Sequence, residues 1–136
     1  MDQRAITLLP ATTIAAAVTA SLGRASKIGP VGYLLLEGKF LYGAAGTTVK
    51  VWVQTRVGGG TWRDIANFAF TTAAATKWHA VKKNIAVAAA IAASDAALTD
   101  DTILDGFIGD EIRVKYTTTG TYTGATSIQI LATAKE

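Results

Sequence analysis

The sequence predicts an all-β protein: an antiparallel two-sheet sandwich, with a jelly roll as one form of it, and a short N-terminal arm. Three observations predict this class. Apolar and polar residues alternate with period two in several short segments, turn residues rich in glycine separate them, and no long helical pattern is present. Because 136 residues is the size of one domain, we expect an arm over residues 1–10 and a single sandwich domain over residues 11–136.

The clearest strand pattern covers residues 47–57. Valine and threonine alternate there with Lys50, Trp52 and other larger side chains, which predicts one buried and one exposed face. An apolar run over residues 33–42 precedes it, and the glycine-flanked loop 43–46 has the length of a hairpin connection. We therefore expect these two strands to pair with each other.

Four further strands follow from the same alternation. They are expected over residues 61–70, with a break near Ala66, and over residues 76–82, 112–118 and 126–133. The loop 119–125 contains two glycines and is expected to join the last two strands as a hairpin. We expect one shared core that contains Val49, Val51, Val53, Ile112, Val114, Ile128 and Ile130.

Two alanine-rich segments, residues 13–21 and 85–97, are harder to assign. Alanine favours helix, but neither segment carries a convincing apolar stripe at helical spacing. We expect both to be mostly extended or irregular, with helix as the alternative.

Composition excludes several classes of protein. The absence of cysteine rules out disulfides, thiolate zinc sites and thiol chemistry. No apolar run approaches the roughly 20 residues of a membrane span, so no membrane partner is expected. The N-terminus, with its early acidic residue and short apolar run, does not resemble a signal peptide, so we expect a protein that is made and assembled in a cytoplasm.

The charges are unevenly distributed along the chain. Six of the ten acidic residues lie between positions 95 and 111: Asp95, Asp100, Asp101, Asp105, Asp110 and Glu111. Their spacing does not supply the ligands of an EF-hand calcium loop, so no metal or other cofactor is expected. We interpret this region as a solvated loop, or as one side of an electrostatic contact between copies of the chain.

The basic residues do not indicate a nucleic-acid-binding surface. They are scattered along the chain, apart from the adjacent pair Lys82 and Lys83, and the net charge is only +3. A surface that tracks phosphates normally has a basic patch interleaved with aromatic residues. Nucleic acid is therefore not an expected partner.

No combination of residues indicates an enzyme. His79 is the only histidine, and none of the serines lies in a nucleophile-elbow context. Asp64 and the pair Asp110 and Glu111 could supply paired carboxylates only if the fold placed them across a cleft. The three glycines at 58–60 lack the lysine and hydroxyl residue of a phosphate loop.

The aromatic residues leave a second functional class open. An aromatic platform is one way in which β-sandwich modules bind sugar rings. The candidates are Trp52, Trp62, Trp78, Tyr33, Tyr42, Tyr116 and Tyr122. Trp52 has a plausible exposed position, whereas Trp62 follows a turn and is expected to cap the core. A glycan is therefore a partner to consider, with core or subunit packing as the alternative role.

Residues 55–62 resemble an Asp-box hairpin, whose pattern is S-x-D-x-G-x-T-W. Gly59, Thr61 and Trp62 fit the pattern, while Thr55 replaces the usual serine and Val57 replaces the aspartate. Asp boxes are mainly structural turns, and one altered copy does not make a propeller.

A wider pattern spans about residues 31–133. It includes VKVWVQTRVGGGTWRDIANFAFTT and, downstream, DGFIGDEIRVKYTTTGTYTG. This pattern resembles small β-sandwich proteins encoded among the structural genes of tailed bacteriophages.

The resemblance implies a non-enzymatic virion protein, such as a capsid decoration or cement protein or a head–tail accessory protein. Such a protein would form homo-oligomers, with a trimer favoured, and bind a repeated capsid or tail surface. We expect partner contacts from Arg4, Leu8 and Leu9 on the arm, and from Trp52 and Trp78 on strands.

Overall fold

The computed structural model describes residues 3–136, which fold into eleven β-strands without a helix in that range. The strands are β1 (Gln3–Thr13), β2 (Val18–Leu22), β3 (Ser26–Lys27), β4 (Tyr33–Leu41), β5 (Ala44–Ala45), β6 (Thr48–Arg56), β7 (Arg63–Phe70), β8 (Ala75–Lys82), β9 (Glu111–Thr119), β10 (Tyr122–Thr123) and β11 (Ser127–Lys135). The alanine-rich segment 85–97 is irregular, as expected, and the other one contains β2.

Nine of the strands form two antiparallel sheets, and β5 and β10 form a separate two-stranded sheet. Sheet A has the order β1-β11-β4-β8, and sheet B has the order β2-β9-β6-β7, with β3 also paired to β9. The chain therefore folds as one long hairpin. The β6–β7 pair is at its tip, and the pairs β4–β8, β2–β9 and β1–β11 follow in that order away from the tip. Successive strand pairs alternate between the two sheets, which is the topology of a jelly roll. The predicted antiparallel sandwich is confirmed.

The core lies between the inward faces of the two sheets. All seven predicted core residues are fully buried and belong to one cluster with residues of both sheets. Burial alternates strictly along β11, where Ile128, Ile130, Ala132 and Ala134 point inward. Period-two alternation places these side chains on one face, and their burial from water stabilises the sandwich.

Two hairpins predicted from sequence are wrong. β4 and β6 lie in different sheets, and so do β9 and β11. The loops 42–47 and 120–126 therefore cross from one sheet to the other. They pair with each other through β5 and β10, where Tyr122 lies opposite Ala45. Alternation along a strand identifies the buried face but not the neighbouring strand, so local pattern could not distinguish a hairpin from a crossing.

The predicted break near Ala66 is a β-bulge. Val53 pairs with Ala66 and Gln54 pairs with Asp64, which leaves Ile65 as the extra residue of β7. Residues 64–66 are all buried. The bulge turns Asp64 away from the core cluster that contains Ile65 and into a second buried environment on the far side of sheet B.

The predicted N-terminal arm is wrong over residues 3–10, and residues 1 and 2 lie outside the described residues. Residues 3–10 belong to β1, an edge strand that pairs with β11 along its length. Register shifts between Thr7 and Leu9 and between Leu9 and Thr12 break the alternation, so Leu8 and Leu9 are both buried. The strand is thus part of the sandwich and not a projecting segment.

A long irregular connection, residues 83–110, covers the outer face of sheet B over β6 and β7, and we call it the strap. It hydrogen-bonds to the free edge of β7: the Asp64 amide donates to the Ser94 carbonyl (2.8 Å), and the Asn67 amide to the Thr102 carbonyl (2.9 Å). Under the strap, β6 is buried on both faces from Val51 to Thr55. The prediction of one exposed face for this strand is therefore wrong at its centre.

Candidate partner-binding surface

Three of the five predicted contact residues serve the fold of the chain itself. Leu8 and Leu9 lie in the core and are not available to a partner. The guanidinium of Arg4 donates a hydrogen bond to the Ile28 carbonyl and so ties β1 to the connection between β3 and β4. These residues were assigned to a partner because sequence alone did not show that β1 belongs to a sheet.

Trp52 is also wrong as a contact residue. It lies on the outer face of β6, as predicted, but only 7% of the residue is exposed because the strap covers it. Its indole nitrogen donates a hydrogen bond to the Leu98 carbonyl in the strap (3.1 Å). A glycan platform based on Trp52 is therefore excluded.

Arg4 remains exposed at the β1 edge, and the other predicted contact residue that remains accessible is Trp78. It lies in β8 on the outer face of sheet A and is 60% exposed. Its indole nitrogen donates to the Glu37 carboxylate on neighbouring β4 (2.9 Å), which holds the ring against the sheet. A large exposed aromatic side chain held in one orientation is well suited to a contact with a partner.

Three of the other aromatic candidates, Tyr116, Tyr122 and Trp62, do not form a platform with Trp78. Tyr122 is fully buried and packs edge-on against Phe40, with ring centroids 5.7 Å apart. Tyr116 is nearly buried. Trp62 lies between the guanidinium groups of Arg56 (4.6 Å) and Arg113 (4.4 Å). The prediction that Trp62 caps the core is wrong, because Trp62 contacts these two arginines and is not part of the core cluster.

The outer face of sheet A is not covered by any segment among residues 3–136 and carries several apolar side chains. Leu35, Leu41 and Trp78 are exposed on it, and half-buried Leu131 lies opposite Glu37 on β11. Monomeric soluble proteins rarely expose large contiguous apolar patches, so such a face indicates a contact surface. The two faces of the sandwich thus differ: the strap covers the β6 and β7 part of sheet B and leaves Leu22 on β2 exposed, whereas no segment of the described chain covers sheet A.

The acidic residues of the strap bind the basic residues of their own chain. Three ion pairs fasten it: Asp100 with Lys50 (3.3 Å), Asp101 with Lys77 (2.8 Å) and Asp95 with Lys115 (3.0 Å). In the C-terminal half of the strap, Asp105 accepts from the Lys82 amide and Asp110 from the Gly58 amide, and Glu111, the first residue of β9, accepts from Arg56. The uneven charge of the sequence is therefore used within the chain, and the interpretation of a contact between copies is not needed to explain it.

Asp64 anchors the strap to β7. Its buried carboxylate accepts hydrogen bonds from five donors: the amides of Ala96 (2.8 Å), Ala97 (2.9 Å) and Leu98 (3.1 Å), the Ser94 hydroxyl (2.9 Å) and the Gln54 amide group (2.9 Å). Hydrogen bonds to an ionised acceptor are stronger than neutral ones, which offsets the cost of burying this charge. The bulge at Ile65 makes this possible because it turns the carboxylate toward the strap.

The Asp-box-like turn uses an acid from elsewhere in the chain. Val57 occupies the position of the motif aspartate, and the amide of the next residue, Gly58, instead donates to the Asp110 carboxylate (2.8 Å). The turn closes with a hydrogen bond from the Gly60 amide to the Val57 carbonyl (2.9 Å). This arrangement is structural, since it joins the β6–β7 turn to the end of the strap.

Hydrogen bonds shift the ionisation of three strap residues. The hydrogen bond from Gln54, together with that from Lys115, lowers the pKa of Asp95. Partial burial opposes ionisation of Asp101, but the hydrogen bonds from Lys77 and the Ala69 amide outweigh it and lower its pKa. The Gly58 amide lowers the pKa of Asp110. All three carboxylates are therefore ionised at neutral pH and fasten the strap as charged groups.

The His79 side chain on β8 packs against β7. Its ring lies 4.6 Å from that of Phe68, and its Nε2 atom lies 2.7 Å from the Asn67 carbonyl oxygen. The Ser94 hydroxyl donates its hydrogen bond to Asp64 and not to His79. The histidine thus has a packing role, in agreement with the sequence interpretation.

Between residues 3 and 136, no group of three or more acidic or histidine side chains is arranged to hold a metal ion. The same residues contain no helix that is long and apolar enough to cross a bilayer.

Comparisons with known proteins do not identify a relative. The chain matches no protein-family model, no curated protein and no solved structure.

Proposed function

We propose that this chain is a non-enzymatic structural protein of a tailed bacteriophage virion. In this role it is a capsid decoration or cement protein, or a head–tail accessory protein, that self-associates and binds a repeated capsid or tail surface. The sequence pattern over residues 31–133 supports the phage assignment, and the open face of sheet A supports the binding role.

The observation that carries the proposal is the difference between the two faces of the sandwich. The strap covers β6 and β7 of sheet B and is held there by three ion pairs and the Asp64 anchor, while Leu22 on β2 stays exposed. Sheet A presents Leu35, Leu41 and Trp78 without a cover in the described chain. This face mixes apolar residues with polar ones such as Glu37 and Lys39, and it can bind a repeated surface because many weak contacts add up when copies bind side by side.

Because β1 is part of the sandwich, deletion of the N-terminal residues is not a suitable test of binding. Deleting residues 1–10 would remove most of β1 together with core residues Leu8 and Leu9, so the variant would lose stability for reasons unrelated to binding. A single charge on the open face is a cleaner change. Leu35→Glu alters the centre of that face, and Val57→Glu makes the same kind of change at an exposed apolar residue of the β6–β7 turn.

The experiment mixes each protein with shells or tails purified from particles that lack it and measures co-sedimentation. We expect the unmodified chain and Val57→Glu to bind and Leu35→Glu to bind at least tenfold more weakly, a loss of about 1.4 kcal/mol. Absence of binding by the unmodified chain to shells and to tails would refute the virion role. Equal binding by both variants would show that sheet A is not the contact face.

A carbohydrate-binding role is the second candidate, and one observation favours it. Trp78 is exposed with the Glu37 carboxylate beside its ring, which pairs an apolar face with a hydrogen-bond acceptor for hydroxyl groups. A glycan array tests it with the unmodified chain and Trp78→Ala. Specific binding that is lost in Trp78→Ala, without affinity for shells or tails, would replace the structural role with receptor recognition.

A further inference from the structure

The four main edge strands of the sandwich are protected to different degrees. In sheet B, the strap hydrogen-bonds to the edge of β7. β2 is short, has a register shift and contains Ala20 at a positive φ of 55°. In sheet A, β1 carries two register shifts and Pro10. Bulges, proline, covering loops and charged side chains, especially lysine, are devices by which proteins prevent edge pairing.

The remaining edge, β8, carries Lys77 and Lys82 but has no bulge, proline or covering loop along most of its length. It pairs with β4 over eight consecutive residues without a register shift and contains no proline. Such a regular, open edge is a template on which another strand can pair.

The hydrogen bonds at the end of β8 show which backbone groups point outward. The Lys83 amide donates to the Gly32 carbonyl on the β4 side (2.9 Å), so odd-numbered residues of β8 face β4. Lys82 faces the other way: its amide donates to Asp105 (2.8 Å), and its carbonyl accepts from Gly106 (2.7 Å). By alternation, the backbone groups of Thr76, Trp78 and Ala80 also point outward, and the hydrogen bonds among residues 3–136 give these three residues no partner on that side.

We propose that two copies of this chain pair through their β8 strands, antiparallel, about a two-fold axis near Trp78. The two A sheets would then form one continuous eight-stranded sheet. This inference rests on the self-association in the proposed function and names the surface that carries it. A second copy fits because the edge is self-complementary, which a two-fold contact requires.

The residues that would face each other are compatible. In this register Trp78 lies opposite itself and Thr76 lies opposite Ala80, so no charged pair meets on the outer face at the centre. Lys77 lies opposite His79 on the inner side, and its ammonium group is already paired with Asp101 of its own chain (2.8 Å). The two Trp78 rings add apolar contact at the axis.

The ends of the strands add further apolar contact. Exposed Ile85 and Val87 follow the C-terminal end of β8, whereas exposed Leu41 and the alanines at 73–75 lie at its N-terminal end. Antiparallel pairing places the C-terminal end of one strand beside the N-terminal end of the other. Strap residues of one copy would therefore pack near Leu41 of the second copy, and small alanine side chains leave room for the loop at Asp105.

Cysteine cross-linking tests the register directly, because the chain contains no native cysteine. In a hydrogen-bonded antiparallel pair the Cα atoms lie about 5.5 Å apart, within the range that a disulfide bridges. We expect Trp78→Cys to form a covalent dimer under mild oxidation. Ala5→Cys, on the opposite edge of the same face, is the matched control and should remain monomeric. Equal dimer yields from the two variants would overturn the proposal.

Sedimentation of two variants at position 80 provides an independent readout. Ala80→Pro removes one outward amide that β4 does not use, whereas Ala80→Thr keeps it and favours a strand. We expect concentration-dependent dimers for the unmodified chain and Ala80→Thr, and at least tenfold weaker association for Ala80→Pro. An unmodified chain that is monomeric at every concentration, or equal association by both variants, would overturn the proposal.

Different results would refute the virion role and the β8 contact. If Ala80→Pro does not fold, the cysteine pair still decides the edge proposal. Dimers that do not bind shells or tails would refute the virion role alone, and particle binding by a monomeric chain would refute the β8 contact alone.

Discussion

Trp52 and Leu98 are joined by a hydrogen bond of 3.1 Å from the indole nitrogen to the carbonyl oxygen. The amide of the same leucine donates to Asp64 (3.1 Å). One strap residue therefore bridges β6 and β7, and the burial of Trp52 depends on the Asp64 anchor. This relationship explains why an apparently exposed strand face is covered in the folded chain.

Asp64→Ala is expected to lower the free energy of unfolding by about 3 kcal/mol, because a charged hydrogen-bond acceptor is lost and its donors are left unpaired. Urea denaturation followed by tryptophan fluorescence measures this change. The strap should also loosen and expose Trp52, so the emission of the folded variant should shift to longer wavelength.

Asp100→Asn is the control for Asp64→Ala, since Asp100 belongs to an exposed ion pair with Lys50. Exposed pairs contribute about 0 to 1 kcal/mol, so this variant should be nearly as stable as the unmodified chain. Similar losses in the two variants would contradict the role of Asp64 as the anchor.

The three tryptophans should differ in their accessibility to a neutral quencher. Trp78 is 60% exposed and Trp52 is 7% exposed. Acrylamide should therefore quench the unmodified chain mainly through Trp78. Trp78→Phe should reduce the quenching constant, whereas Trp52→Phe should leave it unchanged or raise it. The reverse order would show that the strap does not cover Trp52 in solution.

Acid should destabilise the strap. The pKa values of Asp95, Asp101 and Asp110 are lower in the folded chain than the ordinary value of 3.8. Their contribution to stability is therefore fully present above that value and is lost as the pH falls through the lower folded values. We expect the free energy of unfolding to fall between about pH 5 and about pH 2, the interval over which such carboxylates become protonated.

A variant with asparagine at positions 95, 101 and 110 is the control for the acid experiment. It lacks these carboxylates, so its stability should depend less on pH over the same interval. Parallel pH profiles for the two proteins would show that other groups cause the acid sensitivity.

Two glycines with nearly the same backbone conformation should tolerate alanine differently. Gly46 has a φ of +75° and Gly59 a φ of +74°, but a Cβ atom at Gly46 would lie 2.4 Å from the Tyr122 ring, whereas the space at Gly59 is open. Gly59→Ala should cost about 1 kcal/mol from backbone strain alone. Gly46→Ala should cost about 3 kcal/mol or more, since crowding of the buried ring is added. Equal costs in thermal or urea denaturation would contradict the packing of the crossing loop on Tyr122.

The fold class and the core could be predicted because both depend on local periodicity. The alternation of valines in β6 and isoleucines in β11 is a property of neighbouring residues, and burial of one strand face follows from it. The candidate site was less predictable. Of the predicted contact residues, Arg4 and Trp78 remain exposed, while Trp52, Leu8 and Leu9 are buried by segments distant in sequence or by a bulge.

The sequence by itself determined that the chain forms short antiparallel strands with one apolar core, because side-chain alternation and turn residues act over a few positions. Only the tertiary structure decided which strands are neighbours. It also decided that residues 3–10 belong to an edge strand of sheet A and that the acidic strap covers β6 and β7 of sheet B. The reason is that a jelly roll pairs strands far apart in sequence, so the contacts of Asp64 with residues 94–98 and the open edge of β8 exist only after both sheets have formed.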